Sequence, residues 1–222
     1  MPMNAVYRSP ADLPEVIPVF PLPAALLLPR GQMPLNIFEP RYLAMVDEAL
    51  RGSRLIGMIQ PEIDASGSAV PALQKVGCAG RITQFAETGD GRCLITLTGV
   101  SRFRVIEEMA TVSPYRRCRV DFVSHAGDLV ARAGEAETDR EGVIRALRAF
   151  VEARDIEMDW KGVQSAPTEA LVNALAMMSP FGPREKQALL EARDLRERAE
   201  MLIAITEIEL ARGDDGSETP LQ

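Results

Sequence analysis

The stretch VGCAGRITQFAETGDGRCLITLTGV, residues 76–100, decides how the first half of this 222-residue chain folds. At its centre Gly89-Asp90-Gly91 supplies the positive backbone φ that tight hairpin turns need. Beyond the turn Cys93, Ile95 and Leu97 alternate with Arg92, Leu94 and Thr96, the period-two pattern of a strand with one buried face. Residues 76–87 and 92–100 are therefore expected as the two arms of a β-hairpin. Downstream, Cys118, Val120 and Phe122 alternate in the same way with Arg117, Arg119 and Asp121. Upstream, residues 16–20, 33–38 and 54–60 are short apolar segments bounded by Pro and Gly, again strands. One helix interrupts them: Pro40 stands near its start and Gly52 just past its end, and Tyr42, Met45, Val46, Ala49 and Leu50 share one face at helical spacing. Short strands in close succession, with prolines at their edges, predict a small, partly closed antiparallel barrel rather than a parallel sheet with crossover helices.

The second half has a different period. Residues 124–139 are small, polar and rich in Gly and Ala, and read as a linker or loop. From Arg140 the spacing is helical: Val143, Leu147, Phe150 and Val151 on a first helix, Leu171, Val172, Leu175 and Met178 on a second, residues 184–192 on a third. Asp194 and Glu197 form a capping box for a last helix, which carries Leu195, Ala199, Leu202, Ile205 and Ile208 on one face as far as Gly213. The fold class is thus α+β, with a β-rich subdomain over 1–123, a linker over 124–139, a helical bundle over 140–213 and a disordered tail over 214–222.

Charge follows the same division. Up to Val123 the chain has 13 basic and 12 acidic side chains, and from Ser124 it has 12 and 20, giving +1 and −8 for a net of −7. A field of that sign repels phosphate, so nucleic acid and anionic membranes are not expected partners. No apolar run approaches the roughly 18 residues of a bilayer span. Without a signal-like N-terminus, and with three scattered cysteines, Cys78, Cys93 and Cys118, the chain reads as cytoplasmic.

Catalytic patterns are missing from this sequence. The three lysines, Lys75, Lys161 and Lys186, precede Val, Gly and Gln, so none begins the Lys-Ser/Thr pair of a phosphate-binding P-loop. The single histidine, His125, has no local triad signature and reads as a solvated loop residue. The cysteines lack the spacing of a zinc site and read as buried hydrophobes, so neither a metal nor a cofactor is expected. Glu107-Glu108 point to opposite faces of a strand. Arg102, Arg104, Arg116, Arg117 and Arg119 could form a basic stripe for RNA, but no exposed aromatics are interleaved with them.

One ordered set of fragments is more specific. Ile17-Pro18-Val19-Phe20-Pro21-Leu22, Leu28-Pro29 and Met33-Pro34-Leu35-Asn36-Ile37-Phe38-Glu39-Pro40-Arg41-Tyr42 come first. Ile56-Gly57-Met58-Ile59, residues 76–82, residues 99–105 and Glu185-Lys186-Gln187-Ala188-Leu189-Leu190-Glu191 follow in order. Together they resemble the N-terminal domain of the Lon protease family, above all its small free-standing bacterial members, over residues 16–212. The resemblance implies a PUA-like β pseudo-barrel with one inserted helix followed by a helical bundle. It also implies a binding module for unfolded or hydrophobic polypeptide in protein quality control, with a Lon-type or other protease as a further partner. It carries no catalytic residue, because the family's ATPase module and serine-lysine dyad lie outside the matched region. Met33, Pro34, Leu35, Phe38, Tyr42 and Met58 are the candidate polypeptide-binding residues, with Met177 and Met178 as further linings, since thioethers repack around varied side chains. Pro34, Leu35, Phe38 and Tyr42 equally suit a second role, building the barrel and seating its helix. An RNA- or nucleotide-binding PUA-like barrel is the alternative function.

Overall fold

The structure, a computed structural model, describes residues 5–62 and 71–215, with side chains through residue 211. Composition also predicts a Gly/Ser/Pro loop over 64–71, which, apart from Pro71, lies outside the described residues. Six strands form one sheet: β1 (Val16–Pro21), β2 (Gln32–Ile37), β3 (Leu55–Ile59), β4 (Val76–Glu87), β5 (Cys93–Glu108) and β6 (Arg117–Asp121). Their order is β2-β5-β4-β3-β1-β6, and β6 pairs back onto β5. The 16-residue β5 makes this closure possible. Its first half pairs with β2 (Met33 opposite Leu97) and its second half with β6 (Val105 opposite Val120), while β4 runs along its other edge. Register shifts after Ala79, Ile82 and Val105 bend these strands into a barrel.

The all-antiparallel expectation needs one correction: β1 pairs with β3 in parallel, Val19 opposite Gly57. Parallel neighbours require a long crossover, and β2 together with the inserted helix α1 (Pro40–Arg51) provides it. Tyr42, Met45, Val46 and Ala49 of α1 are buried as the spacing predicted. The barrel core contains Ile17, Val19, Leu55, Ile59, Ala79, Phe103, Cys118 and Val120. Phe103 meets Phe122 edge-on, with ring centroids 6.2 Å apart. Bare glycine backbone makes room for that ring: a Cβ on Gly77 would lie 2.5 Å from it.

The described residues fall into two compact units, 5–131 with 181–190, and 132–180 with 191–215. This differs from the expected division in two places. Residues 124–139 are not a plain linker. Val123–Leu129 coil into 3-10 turns, and the buried Asp128 carboxylate accepts from Arg102 N (2.9 Å), Nε (2.8 Å) and Nη2 (2.9 Å). Local composition could not reveal a charge partner on β5, 26 residues away in sequence. The second difference is α5 (Pro183–Glu191), which up to Leu190 belongs with the barrel and not with the bundle. Gln60 Nε2 donates to Pro183 O (3.0 Å) and Gln187 Oε1 (3.1 Å), Gln187 Nε2 to Val76 O (3.2 Å), and Arg102 Nη1 to Leu190 O (3.0 Å). Helical periodicity says that one face of α5 is buried, but not what covers it.

In the second unit α2 (Arg140–Glu152), α4 (Thr168–Met178) and α6 (Leu195–Asp215) pack together. The short α3 (Trp160–Ser165), unforeseen in the sequence, precedes α4 and is held by Arg140, whose Nη2 donates to Val163 O (3.0 Å) and Gln164 O (2.9 Å). Asp139 caps α2 through Gly142 N (2.9 Å). The box at α6 is displaced by one residue: Asp194 Oδ1 accepts from Glu197 N (2.8 Å), but Glu197 Oε2 reaches Arg193 N (2.5 Å). α6 continues through Asp215, past the expected stop at Gly213, so 214–215 belong to a helix, and the rest of the expected tail lies outside the described residues. Along α6 Leu195, Ala199 and Leu202 are buried, whereas Ile208 is exposed.

Candidate polypeptide-binding surface

Four of the six candidate residues come together along and just beyond one strand. In β2 Met33 and Leu35 are half-buried on the barrel-facing side, Pro34 points outward, and Phe38, 60% exposed, follows at the end with the Arg92 guanidinium 6.0 Å from its ring centroid. The other two lie elsewhere. Tyr42 is 7% exposed in α1, its ring 4.2 Å from that of Phe20, and burial pushes its hydroxyl pKa up. Met58, 2% exposed, sits in β3 opposite Cys78. Both side chains are closed off from solvent by the surrounding barrel and helix, a position that suits a packing role. Met178 is exposed on α4, in the other unit.

Beside β2 lies a feature the sequence did not disclose, a groove of ≈430 Å³ between α1 and the β4–β5 hairpin. Leu43, Val46 and Leu50 of α1 form one wall and Phe85 and Cys93 the other, with Asp47, Glu87 and Arg92 at the rim. The hairpin reaches over α1 because β4 and β5 are much longer than β3 or β6, so Phe85, opposite Ile95, is left 43% exposed. Gly89 and Gly91, with φ of +82° and +85°, turn the chain at its tip. The rim charges are partly matched: Asp47 pairs with Arg51 (2.8 Å) and Arg92 with Asp90 (3.4 Å). Burial and the Glu87 carboxylate raise the Cys93 thiol pKa, which keeps it a neutral apolar surface. The signal in the sequence was Leu43 and Leu50, seven apart on α1 and flanking its buried face.

The other candidate chemistries fare differently. All three cysteines are buried and free, and burial raises Cys118 to about 11. Among the described residues no cluster of His, Cys, Asp or Glu could hold a metal ion. His125 is not a solvated loop residue: it is half-buried, its Nδ1 is buried without a hydrogen-bond partner, and burial together with Arg102 lowers its pKa. The arginine stripe is largely neutralised, Arg102 by Asp128, Arg116 by Glu108 (2.5 Å), Arg117 by Glu48 (3.4 Å) and Arg119 by Glu107 (3.0 Å). No helix among the described residues is long and apolar enough to cross a membrane.

A closed six-stranded sheet with one inserted helix, accompanied by a helical unit, defines an α+β module; exposed apolar side chains stand at the end of β2 (Phe38) and at the α1–hairpin groove (Phe85), among others such as Ile106, Val123 and Met178. Residues 16–207 match the ATP-dependent protease La (LON) substrate-binding domain, and the chain belongs to that family. It is 26% identical over 200 residues to Lon protease of Dictyoglomus thermophilum, covering 84% of this chain and 24% of that protein. To Lon protease of Parabacteroides distasonis it is 29% identical over 196 residues, covering 86% and 24%. The chain therefore spans about a quarter of the length of the curated relatives it matches. Two solved structures share the fold. One is a Lon N-terminal domain protein from Xanthomonas campestris (TM-score 0.61, 24% identity, 85% of this chain and 97% of that one). The other is the N-terminal domain of Mycobacterium avium complex Lon protease (TM-score 0.65, 19% identity, 86% and 98%).

Proposed function

We propose that this protein is a non-catalytic binding module for unfolded or apolar polypeptide segments. The observation that carries the reading is the groove between α1 and the hairpin, an apolar cleft with a mixed-charge rim in a domain of the Lon substrate-binding family. A Leu or Phe side chain seated there contributes about 1.5–3 kcal/mol by leaving water. Two such anchors supply about 3–6 kcal/mol before the entropy lost on association is subtracted, so on their own they bind no tighter than about millimolar, and further contacts along the chain must add to them. Weak binding of that kind suits a module that samples many chains and releases them. Protein quality control is its setting, with a Lon-type or other protease as a further partner, and three buried free thiols are in keeping with the cytoplasm. The RNA reading is disfavoured because carboxylates already match most of the arginine stripe.

The test is an anisotropy titration against a labelled, permanently unfolded polypeptide and a labelled RNA oligomer, at low and physiological salt. Saturable, salt-tolerant polypeptide binding that weakens at least about tenfold in Phe85→Asp or Leu43→Asp, at the loss of about 1.4 kcal/mol or more, is expected. Binding only to RNA, falling steeply with salt, would refute the reading.

A further inference from the structure

The edge of β2 opposite β5 has a polarity of its own. Gly99 N donates to Gly31 O (2.8 Å) and Gly99 O accepts from Arg30 N (2.8 Å), so residue 99 turns both backbone groups toward the chain entering β2. Bonded and non-bonded pairs alternate along an antiparallel ladder, so Met33, Leu35 and Ile37 face β5 with their backbone groups and Gln32, Pro34 and Asn36 turn theirs away. Pro34 is compatible with this register because it has no N–H to offer β5. Among the described residues β2 pairs with no strand but β5. The outward groups are the N–H of Gln32 and Asn36 and the C=O of Gln32, Pro34 and Asn36.

We propose that this edge takes up an extended segment of an unfolded polypeptide as an added β-strand, so that backbone hydrogen bonds carry much of the recognition. The proposal rests on the polypeptide-binding reading and specifies how the bound chain is held. Main-chain pairing is indifferent to side-chain identity, which suits a module that must accept many sequences. Apolar side chains of an added strand would lie beside half-buried Met33 and Leu35 on one face and beside exposed Pro34 and Phe38 on the other. The composition of the edge fits an interface that is only partly guarded: exposed edges are usually blunted by charged residues or proline, and Gln-Met-Pro-Leu-Asn-Ile carries one proline but no charge in a chain that is 26% charged.

Pro34 selects the occupant. Two copies of β2 meeting antiparallel about Pro34 would set proline against proline and lose a donor from each strand, whereas a foreign strand loses one donor only. The edge is thereby biased against self-pairing and still open to other chains.

The experiment compares a labelled ten-residue peptide of alternating apolar and Thr residues with the same sequence N-methylated at every central backbone nitrogen. Both are titrated against the full chain and its Pro34→Ala and Asn36→Pro variants, with light scattering to record oligomeric state and circular dichroism to check folding. Expected are saturable binding of the plain peptide, at least tenfold weaker binding of the N-methylated one, and about threefold or more tightening in Pro34→Ala, which regains a donor. Asn36→Pro, losing a donor, binds several-fold more weakly; if it does not fold, the N-methylated peptide and Pro34→Ala decide. Equal binding of both peptides, unchanged in Pro34→Ala, overturns strand addition and leaves the polypeptide-binding reading intact. Binding of neither peptide to any form overturns both. Dimerisation of Pro34→Ala without tighter peptide binding overturns the choice of occupant in favour of a second copy.

Discussion

Asp128→Ala is expected to destabilise the barrel unit far more than a loop substitution should. The Asp128 carboxylate receives three hydrogen bonds from Arg102, and the two residues are 8% and 3% exposed. Removing the carboxylate leaves the guanidinium buried with Leu190 O as an acceptor (3.0 Å) but without its countercharge. Breaking one side of a buried pair costs about 3–5 kcal/mol. At about 2–4 °C per kcal/mol for a unit of this size, the barrel should melt about 6–20 °C lower. Trp160, the one tryptophan, reports the other unit, so fluorescence is the wrong probe. Amide hydrogen exchange on β5 peptides, read by mass spectrometry, follows the barrel directly and should lose about 3–5 kcal/mol of protection. The double variant Arg102→Met with Asp128→Leu, apolar on both sides, should regain most of it. A single-variant loss below about 1 kcal/mol, the scale of an exposed pair, would refute the reasoning and return 123–129 to the status of a linker.

Three other outcomes are accessible to ordinary assays. Gly99→Ala would place a Cβ 2.0 Å from Leu28 O, so soluble expression or melting temperature should fall sharply, by about 3 kcal/mol or more of stability; a wild-type melt would contradict the packing. Cys118 is raised from 9.0 to about 11, so the thiol form is favoured in the folded state. Its contribution, about 3 kcal/mol by the size of the shift, is complete below pH 9 and lost as pH rises towards 11, and denaturation in reductant at pH 8 and 10.5 should show a shallower fall in Cys118→Ala. For His125 the sign is opposite: its pKa is lowered from 6.5, so the stability it contributes is present above that pH and is lost as pH falls below it, a dependence that His125→Gln should remove from acid titrations.

Much of the fold was legible because strand and helix periods are local. Residues 76–87 and the face of α1 were readable from alternation and helical spacing, and the order of the Lon-like fragments gave the architecture. The candidate surface was only half legible. Met33, Pro34, Leu35 and Phe38 do lie together, but Tyr42 and Met58 share their apolar character and are buried, because hydropathy does not tell an inward position from an accessible one. The exposure of Phe85 has no local signature, since it depends on how far the hairpin outruns its neighbours.

Although it did not disclose α3 or the 3-10 turns of 123–129, the sequence by itself determined the types of the six strands and of α1, α2, α4, α5 and α6, the hairpin at Gly89-Asp90-Gly91, the buried free cysteines and the family. Each depends on spacings of a few residues or on an ordered set of short motifs. Only the tertiary structure decided that β1 lies parallel to β3, that Asp128 closes on Arg102, that α5 packs with the barrel, and that one edge of β2 is unpaired among the described residues. These are pairings between segments distant in the chain, and a local period records that a face or an edge must be satisfied without recording by what.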